Sequence, residues 1–153
     1  MVQSNKLSKV AEVQLVYKSK VKASERPKIT KSADAFTLLK EHWNDDTLDF
    51  IEKFKVMLLT RSNRVLGIVE VSSGGVSETV VDPKIIFASA LKAVASGIIL
   101  AHNHPSGNLK PSSQDLALTK RLKQAGEILG ISVLDHLIIT SEGYYSFAED
   151  GMM

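Results

Sequence analysis

The longest apolar run of the chain, "IIFASALKAVASGIILA" from Ile85 to Ala101, is also its strongest constraint on folding. Lys92 and Gly97 interrupt it, so it is better suited to a buried helix followed by a buried strand than to a membrane span. Asp82 and Pro83 stand in the favoured N-cap and first-turn places ahead of it, and Gly97 is expected to close the helix after Val94 and Ala95. The residues that follow, "IILAH", form a short strand with no polar face. A strand of that kind is central in its sheet and covered on both sides.

The flanking segments supply the partners such a strand needs. Ser32 is expected to cap a helix with Phe36, Leu39 and Trp43 on one face, which "NDD" ends. "KFKVMLLT", the turn "RSNR" and "VLGIVEV" predict a hairpin. "SSGG" makes a loop before "VSETVV". Ser112 caps a further helix running through Leu116, Leu122 and Leu129 to Gly130, and "VLDHLIIT" and "YYSF" form a last hairpin across "SEG". This order predicts an α/β fold, a mixed β-sheet flanked by helices. No internal repeat or low-complexity tract is visible.

The 153 residues, 44% hydrophobic and 24% charged, suit one domain with a real core. Without any cysteine, a metal could be held only by His, Asp or Glu, and thiol nucleophiles and disulfides are excluded. Met1 to Val10 has no apolar signal core, which favours a cytoplasmic protein with no membrane insertion. Charge is uneven: residues 1–31 carry eight Lys or Arg against Glu12 and Glu25, a local +6 that leaves the rest at −4 within the net +2. We therefore divide the chain into a basic, partly ordered arm at 1–31 and a body at 32–153. Val13, Leu15 and Tyr17 alternate with polar neighbours and predict a half-buried strand within the arm. The arm could attract DNA or an acidic partner, whereas the body would repel phosphate.

"AHNHPSGNLKPSSQD", Ala101 to Asp115, concentrates the chemistry. His102 and His104 sit at and just past a strand end, and residues two apart on extended chain point to the same side. Pro105, Gly107 and Pro111 impose a loop, after which Asp115 falls in the first turn of a helix that can fold back over the strand end. Two imidazoles and one carboxylate make the open three-ligand set that catalytic zinc uses. Ser112 and Asp115 are equally the two ends of a capping box, and a strand histidine is often just packed. The nuclease motif suggested by the letters "HNH" spreads its residues over tens of positions, so that likeness is accidental.

The spacing His102-x-His104, seven residues, Ser112, two residues, Asp115 resembles the JAMM motif of the JAB/MPN metalloprotease superfamily. "AHNHPSG", "LGISVLDHLII" and "GYYSFAE" look specifically like its RadC-like branch, and the resemblance runs from about Phe54 to Glu149. It implies a cytidine-deaminase-like three-layer fold, zinc on His102, His104 and Asp115, a glutamate as general base, and Ser112 supporting the tetrahedral intermediate. Glu52, just upstream of Phe54, matches the family's glutamate; Glu70 and Glu78 are the alternatives. His136 belongs to the family's look and is expected to be structural or to back a ligand, and His42 has no role.

The activity so implied is that of a zinc metallopeptidase or isopeptidase acting on a peptide or isopeptide substrate. The competing class is a non-catalytic DNA- or partner-binding module linked to DNA repair or processing. Typical RadC-like proteins also carry an amino-terminal helix–hairpin–helix module, whereas about fifty residues precede the core here, so a short form without that module is expected. Neither substrate identity nor oligomeric state follows from the residues.

Overall fold

The structure, a computed structural model, describes residues 9–74 and 80–153. In chain order its elements are α1 (Ser32–Glu41), α2 (Asp45–Leu48), β1 (Lys53–Leu59), β2 (Val65–Ser73), α3 (Pro83–Lys92), β3 (Gly97–Asn103), α4 (Ser113–Leu129), β4 (Ser132–Thr140) and β5 (Gly143–Ser146), preceded by a 3-10 turn at Ala23–Glu25.

The five strands form one sheet in the order β2-β1-β3-β4-β5. The apolar strand β3 lies in the middle, and all of its residues are buried. It runs antiparallel to β1 and parallel to β4, while β1–β2 and β4–β5 are antiparallel hairpins. The parallel pair needs a crossover, and α4 provides it.

Side-chain alternation builds two cores. Val56 and Leu58 of β1 with Ile98 and Leu100 of β3 pack under Ile86 and Ala90 of α3 and Leu122 of α4. The intervening residues Met57, Leu59, Ile99 and Ala101 face the other way, against Ala35 and Leu39 of α1, Trp43, and Leu48 of α2. Helices thus cover both faces of a mixed sheet. The predicted α/β class and three-layer arrangement hold, consistent with a JAB/MPN fold.

One irregularity matters for the site. In the β3–β4 pairing Ile98 faces Val133 but Ile99 faces Asp135, so β4 carries one extra residue, Leu134. Such a bulge switches which face the following residues occupy. Val133 joins the core under α4, and Leu137 and Ile139 join the opposite one. His136 consequently shares the α4 side of the sheet with His102.

Several local expectations need correction. Ser32 is the first helical residue rather than the cap; α1 starts after Lys31, and the Asp34 carboxylate accepts the backbone N–H of Thr30 at 2.9 Å and of Lys31 at 3.2 Å. The Ser32 hydroxyl is instead drawn to Asp135, 2.7 Å away, a carboxylate far along the chain that sequence spacing could not reveal. Asn44 does not simply end a helix, because its side chain accepts Asp46 N–H at 2.9 Å and starts α2. Asp82 and Pro83 open α3 as expected, yet Gly97 does not close it. The helix stops at Lys92, Val94 takes the left-handed turn (φ 57°), and Gly97 begins β3. A Cβ on Gly97 would approach Leu134 Cδ1 to 3.0 Å, so its small size serves strand packing at the bulge.

The strand expected in the arm is absent among the described residues, where Val13 and Leu15 are exposed. The arm docks instead near its end, where Ile29 N–H donates to Asn63 O and Val65 N–H to Pro27 O, both at 2.9 Å, and by a few side chains. Tyr17 packs on the α3/α4 core and its hydroxyl donates to Leu66 O at 2.6 Å, while Ile29 is buried in the α1/α2 core. Among the described residues no helix is long and apolar enough to cross a membrane.

Candidate metal centre

The site forms where β3 ends. His102 is the penultimate residue of β3 and His104 follows it, so their rings lie on one side, with Nε2 to Nε2 2.9 Å apart. Ser112 caps α4 as expected: its Oγ accepts Asp115 N–H at 3.0 Å, and Asp115 Oδ2 accepts Ser112 N–H at 2.8 Å. The capping box does not use up the carboxylate. Asp115 Oδ1 also lies 3.2 Å from His102 Nε2, and Oδ2 lies 3.3 Å from His104 Nε2. The same side chain ends the helix and reaches the histidines.

Glu52 comes from the turn between α2 and β1 and is buried. A carboxylate oxygen of Glu52 and one nitrogen from each of His102 and His104 all lie within 4.8 Å of one another, a group that could hold a metal ion. Glu70 lies elsewhere, on β2, with Lys53 Nζ 3.5 Å from its carboxylate. Glu78 lies outside the described residues. His42 is exposed beyond α1, its Nδ1 2.9 Å from Leu38 O.

The donor chemistry fits a cation. His104 Nδ1 is 2.6 Å from Asn108 O, a carbonyl that can only accept, so the proton of a neutral ring sits on Nδ1 and Nε2 is a bare lone pair. That lone pair faces a second imidazole nitrogen and a carboxylate at 2.9–3.3 Å, an arrangement of acceptors that a cation or a proton must relieve. Titration follows the same logic. Burial pushes His104 down, but the hydrogen bonds to Asp115 and Asn108 outweigh it and leave its pKa raised. His102 is almost fully buried and is lowered, Asp115 notwithstanding. Burial would raise the Asp115 carboxyl, yet the imidazoles of His102 and His104 beside it, able to take up a proton in its place, hold it well below the usual carboxylate range.

The residue between the histidines holds the other side of the site. Asn103 points to the α1/α2 face, where its amide donates to Leu48 O (2.7 Å) and Ile51 O (2.9 Å) and its Oδ1 accepts Lys53 N–H (2.7 Å). Nothing in the local sequence marks it, though a buried amide next to two histidines is a residue whose hydrogen bonds must go somewhere. The centre opens into a cleft of about 700 Å³ whose lining includes Glu52, Phe54, His102, His104, Ser112 and Asp115.

Comparison with known proteins gives the family. Residues 29–152 match the model of the RadC-like JAB domain. The chain belongs to the RadC-like JAB domain family. A UPF0758 protein of Flavobacterium johnsoniae is 46% identical over 125 residues, 82% of this chain and 53% of the relative. One from Pelobacter propionicus is 48% identical over 102 residues, 67% of this chain and 44% of the relative. Another, from Syntrophotalea carbinolica, is 35% identical over 150 residues, 95% of this chain and 65% of the relative. The RadC-like chain thus spans about half the length of the first two of these relatives.

Proposed function

We propose that this RadC-like domain is a zinc-dependent metallohydrolase, and specifically a metallopeptidase or isopeptidase. The observation that carries the reading is the convergence of His102, His104 and Asp115 at 2.9–3.3 Å with Glu52 beside them in an open cleft. His102, His104 and Asp115 would hold the zinc, whose contribution is Lewis-acid polarisation of a carbonyl and of a water molecule.

The chain's own groups do the rest. The Glu52 carboxylate takes a proton from water as the water oxygen bonds to the amide carbon, and delivers it to the nitrogen as the C–N bond breaks, giving a carboxylic acid and an amine. The Ser112 hydroxyl spends a lone pair on Asp115 N–H, which leaves its own O–H to donate to the developing oxyanion. The cleft suits an amide flanked by side chains, since apolar Val81, Pro105 and Leu118 stand beside polar Asp49, Lys110 and Gln114. The test is cleavage profiling of zinc-loaded and chelator-stripped protein on peptides and isopeptide-linked conjugates. Metal-dependent cleavage supports the proposal, and zinc-loaded protein inert across the whole library counts against it.

The second reading, a DNA-binding role, is favoured by the arm, whose Lys18, Lys20 and Lys22 are exposed. Reversing these three charges should flatten the salt dependence of any DNA binding.

A further inference from the structure

A run of hydrogen bonds extends the centre one layer inward. The Thr119 hydroxyl is 2.7 Å from Asp115 O and 2.6 Å from His136 Nδ1. A hydroxyl has one proton, and the backbone carbonyl can only accept, so that proton goes to Asp115 O and His136 must donate from Nδ1–H. A neutral His136 ring then has a bare Nε2. His102 Nδ1 lies 2.7 Å from it and must be the donor. With its proton on Nδ1, His102 presents a lone pair at Nε2, toward His104 and Asp115.

We propose that Thr119 and His136 are positioning residues that fix the tautomer of His102 and thereby turn its Nε2 into a metal donor. The inference rests on the metallohydrolase reading for the identity of the bound ion, although the tautomers themselves do not. Among the described residues no competing partner faces the His136 ring: it is wholly buried, stacked on Phe147 at 4.7 Å and edge-on to Phe54 at 5.6 Å. Thr119 is buried too and lies one helical turn beyond Asp115. The hydrogen-bonded chain therefore leaves the centre at His102 and returns to it at the backbone of another proposed ligand. Ligating histidines commonly need such a partner on the second nitrogen, and losing it costs about 10–100-fold in metal affinity.

The experiment uses the full chain with isotope-labelled histidines. Nitrogen NMR of the metal-free protein reports which ring nitrogen bears the proton, and a zinc titration against a competing chelator reports affinity. Wild type should show protons on Nδ1 of both His102 and His136. Thr119→Val keeps shape and removes the acceptor, so His136 should move its proton to Nε2, His102 should follow, and zinc affinity should fall about 10–100-fold. Thr119→Ser restores the hydroxyl and should restore both tautomers and affinity, whatever either variant does to thermal stability. Unchanged tautomers or unchanged affinity in Thr119→Val overturns the proposal. Wild type with the expected tautomers but no zinc uptake supports the relay and refutes the metal reading instead.

Discussion

Asn103 Oδ1 accepts the backbone N–H of Lys53 at 2.7 Å, so the residue after Glu52 is tied to the one that separates the two histidines. The same amide also ties down the carbonyls of Leu48 and Ile51 just upstream. One side chain on β3 thus sets the height of the Glu52 turn against the histidine strand. Asn103→Ala would strand buried polar backbone groups, and a single such group costs about 1–3 kcal/mol. We expect at least about 2 kcal/mol lost in urea unfolding; a smaller loss would mean that water or the turn itself replaces the clamp.

Glu52 has two possible jobs beside the histidines, and Glu52→Gln separates them. As a base it can be neutralised with zinc content retained while turnover falls about 10²–10⁴-fold. As a ligand, its loss should deplete zinc as severely as His102→Ala, His104→Ala or Asp115→Ala, each of which should exceed the roughly 10–100-fold effect of a supporting residue. Metal analysis of the four variants side by side decides the matter.

Ser112→Ala tests whether the cap has a second use. Loss of the cap should cost about 0.5–2 kcal/mol. If the hydroxyl also donates to substrate, the rate on an identified substrate should fall beyond what the change in folded fraction explains. A destabilised variant turning over at the wild-type rate would leave Ser112 a helix cap and nothing more.

Gly126 lies inside α4 where alanine would ordinarily help by about 1 kcal/mol. Here a Cβ would come within 2.3 Å of the Ile131 carbonyl oxygen, a backbone atom that cannot swing aside. Gly126→Ala should therefore destabilise by about 1–3 kcal/mol, and calorimetry showing a stabilised variant would disprove the close packing of α4 on this turn.

Asp115 predicts the acid limb of stability in metal-free protein. Its folded pKa is depressed, so it contributes stability present above its unfolded value, about 3.9, and lost as pH falls through the acid range. Asp115→Asn removes that titration. Between about pH 5 and pH 2 the wild type should lose stability more steeply than the variant. Parallel curves would show that the carboxylate gains nothing from the histidines.

Much of this was legible in the sequence because it rests on local rules. The apolar β3, both hairpins and both ends of α4 follow from side-chain period, turn residues and capping chemistry. The histidine pair was readable for the same reason, since strand geometry alone puts residues two apart on one side. What escaped was decided by partners distant in the chain. Ser32 is drawn to Asp135, and Gly97 yields the left-handed turn to Val94 because strand packing against Leu134 claims it. Asn103 and Thr119 looked ordinary because their partners are backbone groups and a ring that only the fold brings near.

The extra residue at Leu134 gives β4 a dependence on counting. Were the same residues paired without that bulge, Leu134 would face Ile99, Asp135 would face Leu100, and every side chain beyond Val133 would trade faces. An acid would then stand behind His102, and the imidazole would be left among the hydroxyls of Ser32 and Ser146 that now surround Asp135. Substitutions along β4 can be absorbed one at a time, but losing the bulge with the residues unchanged would exchange the two ends of the sheet's polar wiring at once.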